Sequence, residues 1–197
     1  MTRRSVYNLP FRRRREQKTD YRKRRAYVVS GAARMVARPT NKNIFVQIVE
    51  ATSAGDKVLA SAYSKELTRN YGWKGGCGNL PAAYLTGFLA GSRSLSKGVS
   101  EAILDIGLRR ASRGSRVFAA LKGGIDAGLK VPHSEEMLPE EARIRGNHIA
   151  TYAKLLSSTP EKGKKTFVKY SKHDLKPEDL PDHFNEVKEK IAKKFSK

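Results

Sequence analysis

The stretch ARMVARPTNKNIFVQIVEATSAGDKVLASAYS, residues 33–64, constrains the fold most, because its apolar residues recur with a period of two. Successive side chains of a strand point to opposite faces. Met35 and Ala37 are therefore expected on one face of a first strand, with Arg34, Val36 and Arg38 on the other. Ile44, Val46 and Ile48 mark one face of a second strand, and KVLASAYS repeats the period in a third. RPTNKN and TSAGD between them are rich in turn-forming residues. An antiparallel meander built this way presents an apolar face that something else has to cover.

The cover is legible further along, where the period changes. After the loop NYGWKGGCGN comes LPAAYLTGFLAGSRSLSK, with Asn79 placed to cap a helix and Pro81 in its first turn. Tyr84, Leu85, Phe88, Leu89 and Leu95 form its stripe. Gly87 and Gly91, with Ala83 and Ala90, predict a close approach of its backbone to the sheet. EAILDIG reads as a short buried strand, and GSRVFAALKGGIDAGL as a second helix with Val117, Phe118, Leu121 and Ile125 facing inward. The order β-β-β-α-β-α predicts an α+β fold, a mixed α/β sandwich with a right-handed crossover into the last strand. Three segments are expected: a basic extended arm over 1–29, an α/β core over 30–130, and a helical C-terminal extension over 131–197. In the last, a helix begins near residue 140, and a polar, proline-punctuated run follows that is loose unless a partner orders it. Asp182 is placed to cap a final helix whose Phe184, Val187, Ile191 and Phe195 form a stripe too thin for a core of its own, suited to docking.

Charge narrows the function. The 197 residues carry a formal net charge of +21, and residues 1–25 alone hold 11 basic groups against 2 acidic ones. Self-repulsion of this size favours a polyanionic partner. In the arm, Tyr7, Phe11, Tyr21 and Tyr27 stand among arginines whose planar guanidinium forks match phosphate, so rings and cations together point to nucleic acid. RNA is favoured over DNA because no helix-turn-helix, zinc-finger or basic-zipper pattern is present. Too apolar-poor for a core, the arm is expected to be disordered until RNA orders it. Arg3, Arg4, Arg12, Arg13, Arg14, Arg15, Lys18, Tyr21, Arg22, Lys23, Arg24 and Arg25 are its candidate contacts. Trp73, read as exposed beside Lys74 in the glycine-rich loop, is a candidate for stacking on a base. That loop matches neither phosphate-loop nor dinucleotide pattern, and its glycines are expected to serve positive φ angles and close backbone approach. In RRASRGSRVF, Arg109, Arg110, Arg113, Ser115 and Arg116 gather at a helix start, where free N–H groups favour anions.

Catalysis finds little support, and no catalytic residue is assigned. Glu101, Asp105 and Asp126 are the core acids a metal-dependent nuclease would need, and Asp105 sits in an apolar strand. His133, His148, His173 and His183 lack metal-ligand spacing, and Cys77 has no neighbouring histidine. No cofactor, small-molecule substrate or membrane is expected, with Mg²⁺ or K⁺ held only through a bound RNA. A single cysteine fits a reducing cytoplasm, and neither a secretory leader nor an apolar span is read.

PFRRRREQKTDYRKRR, NKNIFVQIVE, GDKVLASAYSKEL, YGWKGGCGNLPAAYLTGFLAG, LDIGL, GSRVFAALKGGIDAGLKVPHSEE and RIRGNHIA closely resemble the archaeal branch of the large-subunit ribosomal protein eighteen family, the counterpart of eukaryotic large-subunit protein five. The likeness covers about residues 1–150. It implies a non-enzymatic, cytoplasmic ribosomal protein that binds 5S rRNA and joins it to large-subunit rRNA at the central protuberance, beside neighbours that include universal protein five. By position it places the arm, Arg34 and Arg38 with the hairpin Asn41, Lys42 and Asn43, Trp73 with Lys74, and the Ser115–Arg116 turn on the RNA side. A general RNA or DNA chaperone, or a chromatin-like protein, is the alternative.

Overall fold

The computed structural model describes residues 8–52, 55–156, 166–168, 170 and 173–195. The arm carries helices α1 (Arg12–Arg15) and α2 (Tyr21–Ser30). Strands β1 (Arg34–Pro39), β2 (Ile44–Thr52) and β3 (Gly55–Tyr63) follow. Next come α3 (Ser64–Tyr71), α4 (Leu80–Leu95), β4 (Ile103–Asp105) and α5 (Arg116–Asp126). Helices α6 (Glu141–Arg145), α7 (Asn147–Leu156) and α8 (Leu180–Phe195) complete the order. The sheet runs β3-β2-β1-β4, antiparallel along the meander and parallel between β1 and β4. The fold is the α+β sandwich expected of the alternation.

Register explains the two faces. Met35 pairs with Ile48 and Ala37 with Val46, so these four side chains share the face against the helices, each 0% exposed. Burying such side chains contributes roughly 1.5–3 kcal/mol apiece for the larger ones. A bulge at Ile48/Val49 shifts the pairing with β3. At the outer edge of β3, Arg93 of α4 and Lys97 just past its end donate to the Ser61 and Leu59 carbonyls at 2.5 Å. Two of the edge carbonyls that could invite another strand are thereby occupied.

Helix α4 starts as expected, with the Ala82 N–H donating to Asn79 Oδ1 at 3.0 Å. Its glycines meet a different neighbour. A Cβ on Gly87 would lie 1.9 Å from the Ala120 carbonyl oxygen, and one on Gly123 would lie 2.1 Å from that of Tyr84. The close approach is thus between the backbones of α4 and α5, each contributing a glycine to the other, and not between α4 and the sheet. Helix α3 is absent from the sequence reading because the period of two runs unbroken into Ser64. It starts where Glu66 Oε1 accepts the Tyr63 N–H at 2.9 Å.

The C-terminal segment does not stand apart. Leu180, Phe184, Val187 and Ile191 are 0–2% exposed and join the same hydrophobic cluster as α4 and the sheet. The thin apolar stripe does dock, but on this chain's own core. Residues 157–165 of the polar run lie outside the described residues, as do Arg3, Arg4 and Tyr7.

Candidate nucleic-acid interface

The arm is helical where an extended, disordered strap was expected. Asp20 accepts the N–H groups of Arg22 and Lys23 at 3.0 and 3.2 Å, and Gly31 ends α2 at φ +63°. Side-chain capping and a left-handed terminator stabilise a helix whose composition alone gives it no core. Tyr21, Arg24 and Tyr27, spaced by three, turn toward the protein, and Arg22, Lys23 and Arg25 face solvent. Arg12, Arg13, Arg14, Arg15 and Lys18 are exposed as well. Arg13 Nε donates to Thr19 Oγ1 at 2.8 Å, and the Phe11 ring lies 5.3 Å from that of Tyr21. The cations thus sit on a shaped scaffold.

The arm leans on the outer face of the sheet, the face opposite α4 and α5. A cleft of about 310 Å³ separates them, lined by Lys23, Arg24, Tyr27, Arg34, Arg38 and Asp105 among others. Arg34 is corrected here: at 3% exposed it is a buried group, with Nη2 2.7 Å from Asp56 and Nη1 3.4 Å from Asp105. The Asp56 approach is off the N–H direction, so Nη2 and Nε have no aligned acceptor. Arg24 reaches the same Asp56 at 3.1 Å, tying α2 to β3, and Tyr27 stacks its ring 5.8 Å from the Arg34 guanidinium. Burial, with Asp105 nearby, pushes the Tyr27 hydroxyl pKa above its ordinary value. Arg38, by contrast, is 40% exposed and donates to the Asp105 carboxylate at 3.0 Å and carbonyl at 2.6 Å. Its guanidinium is fixed in place with one side toward solvent.

A second basic corner gathers three segments distant in sequence. The β1–β2 turn closes with the Thr40 N–H donating to the Asn43 carbonyl at 2.7 Å, leaving Asn41 and Lys42 exposed. Arg116, at the start of α5, donates to the Thr40 carbonyl at 2.7 Å and that of Gly78 at 2.9 Å. Arg109 donates to the Pro39 carbonyl, and Arg113 pairs with Glu136 at 2.7 Å. Ser115 occupies the N-cap position without a side-chain capping bond. Arg109 and Arg116 therefore brace the corner's loops, which the sequence pattern does not reveal because their acceptors are carbonyls.

Trp73 is the second correction. It is 1% exposed, stacked 5.3 Å from the His183 ring of α8, and takes no part in any surface. A Cβ on Gly75 would strike its ring at 2.6 Å, and one on Gly78 would meet the Asn41 carbonyl at 2.8 Å. Close approach accounts for these two glycines; only Gly72, at the end of α3, needs a positive φ. Lys74 remains exposed, its backbone N–H donating to His183 Nε2 at 3.0 Å. Burial holds the His183 pKa below its ordinary value, which keeps that nitrogen an acceptor.

The acids keep separate company. Asp105 serves Arg34, Arg38 and the Gly107 N–H, Asp126 accepts the Tyr84 hydroxyl at 2.6 Å, and Glu101 pairs with Lys130. Among the described residues no group of three or more His, Cys, Asp or Glu is placed to hold a metal. No helix is long and apolar enough to cross a membrane among those residues.

Residues 5–101 and 96–134 match the family described as ribosomal large subunit proteins 60S L5 and 50S L18. The chain is 54% identical over 185 residues to "Large ribosomal subunit protein uL18" of Methanothermobacter thermautotrophicus, covering 94% of this chain and 95% of that one. It is 53% identical over 192 residues to the protein of the same name from Thermofilum pendens, covering 97% of each. The match to that of Caldivirga maquilingensis is 50% over 192 residues, 97% of this chain and 93% of the other. The chain belongs to the family of ribosomal large subunit proteins that includes 60S L5 and 50S L18.

Proposed function

We propose that this protein binds 5S rRNA and attaches it to large-subunit rRNA at the central protuberance, in contact with neighbouring large-subunit proteins that include universal protein five. Membership of the family supports a structural, non-enzymatic role in the large subunit of the cytoplasmic ribosome. The observation that carries the finer reading is the arm: eight cations, Arg12 to Arg15, Lys18, Arg22, Lys23 and Arg25, stand exposed on a segment anchored to the core through Arg24 and Asp56. Such a surface suits phosphate contact along an RNA backbone, where released counterions supply the free energy. Arg38, Lys42 and Lys74 extend the contact onto the core, and Arg109, Arg113 and Arg116 shape its basic corner. Any Mg²⁺ or K⁺ enters with the RNA.

The test is a competition at physiological salt between a 5S rRNA transcript and an unrelated RNA of equal length. A preference of at least about tenfold is expected for a specific site. Equal affinity would favour the general nucleic-acid chaperone instead.

A further inference from the structure

Beyond the arm, the outer sheet face carries a feature that the charge pattern does not disclose. Arg38 pairs in register with Phe45, and Phe45 with Tyr63, so three planar side chains stand in one row across β1, β2 and β3. The Phe45 and Tyr63 ring centroids are 5.6 Å apart and tilted by 55°. Both rings are half-buried, and neither lines the cleft beneath the arm. The neighbouring rows of the same face are filled otherwise: Asp105, Val36, Gln47 and Ser61 in one, Ile103, Arg34 and Val49 in the next. The two rings are thus confined to the end of the sheet next to the exposed β1–β2 turn and lie outside the cleft beneath the arm, with Arg38 at that cleft's margin.

We propose that Arg38, Phe45 and Tyr63 form a stacking platform for unpaired RNA bases. Adjacent strands lie about 4.8 Å apart, so a row over three strands offers planar partners at a spacing that successive splayed bases can follow. Rings mounted on a sheet lose little freedom on taking a base, and every base has a face to offer, so recognition is tolerant of sequence. Arg38 arrives pre-oriented by its two bonds to Asp105. Gly107, at φ +66°, gives it room: a Cβ there would sit 3.0 Å from the guanidinium carbon. A net charge of +21 selects a polyanion over an apolar peptide as the occupant. This inference deepens the RNA-binding reading and rests on it.

The test uses the full chain and two probes, a 5S rRNA transcript and a short oligouridylate. Phe45→Leu with Tyr63→Leu keeps apolar bulk on the strands, whereas Phe45→Tyr with Tyr63→Phe keeps the rings. The leucine pair is expected to weaken binding of both probes by about tenfold or more while the slope of log affinity on log salt stays unchanged, because stacking releases no counterions. The ring-retaining pair is expected to bind as the original does. Ultraviolet cross-linking of oligouridylate should mark the peptides that hold Phe45 and Tyr63, a readout available even if the leucine pair folds poorly. Unaltered affinity of a folded leucine pair, or cross-links confined to other peptides, would overturn the platform. Failure of the wild type to prefer 5S rRNA overturns the proposed function alone, since oligouridylate still reports on the rings.

Discussion

At the scale of single residues, the most consequential group is a carboxylate at the end of an edge strand. Asp105 ends β4 facing outward, 7% exposed, and takes the guanidinium groups of Arg34 and Arg38 together with the Gly107 N–H. Removing one member of a buried ion pair leaves the other desolvated and uncompensated, at a cost of about 3–5 kcal/mol. Asp105→Ala should sit at the low end, about 3 kcal/mol, since Arg34 keeps Asp56. Chemical denaturation measures this, and a loss below about 1 kcal/mol would show the network to be marginal. His183 makes a pH-dependent prediction. Its folded pKa lies below the ordinary 6.5, because burial disfavours the imidazolium, with Lys190 and Lys74 acting the same way and Glu186 opposing. The unfolded chain therefore binds the proton first as pH falls. The stabilisation is complete above 6.5 and declines as pH drops from there toward the folded pKa. His183→Gln, which keeps an acceptor for Lys74 but does not titrate, should flatten the fall in melting temperature below 6.5. Parallel profiles for the two proteins would remove His183 from the account, as His148, also held low by burial, titrates in both.

Among elements, the tightest constraint is the crossing of α4 and α5. With a Cβ position 1.9 Å from a backbone oxygen, Gly87→Ala has to separate the helices and disturb Tyr84, Leu85 and Leu121 beneath them. Overpacking of this kind costs about 3 kcal/mol. Gly76→Ala, whose added Cβ meets nothing closer than 3.7 Å, is the matched control and should be near neutral. Comparable melting temperatures for the two variants would contradict the contact. The elements legible in the sequence were those with a sustained periodicity of their own, two in β1 to β3 and helical in α4 and α5, whereas α1, α2 and α3 were not read. What was not legible depends on pairing across the chain. Small residues in α4 announce a close neighbour but not which one, so Gly87 read as facing the sheet. Trp73 in a glycine-rich loop reads as exposed until α8, more than a hundred residues on, is brought over it. Arg34 alternates like a surface residue, and only the return of Asp56 and Asp105 makes its burial tolerable. In the candidate interface, charge runs were visible, whereas Phe45 and Tyr63 became neighbours only through the register of β2 with β3.

For the whole molecule the question is how a chain of net charge +21 stays folded and still offers a cationic surface to a partner. Geometry separates the two tasks. Ion pairs such as Arg34–Asp56, Arg38–Asp105 and Arg93–Glu66 lock part of the basic charge against the core, while the arm holds eight exposed cations on a scaffold that buries none of its helical residues. Glu16 lies 3.8 Å from Arg12 and 2.9 Å from Lys18 and offsets part of this charge, and the exposed remainder is kept where self-repulsion bears least on packing. If all eight meet phosphates, the slope of log affinity on log salt should be about −6 to −7, between the per-phosphate figures for single strands and duplex. Removing residues 1–19, which spares the Asp20 cap and the Arg24–Asp56 tie, takes away five of the eight. The slope should then fall by about 4, with binding weaker by orders of magnitude at low salt and the melting temperature nearly unchanged. Filter binding across a salt series, with calorimetry on the same samples, measures both. A slope that survives the truncation would move the phosphate contacts onto the Arg38–Lys42 side of the sheet, and a collapse in melting temperature would show that α1 supports the core as well as the RNA.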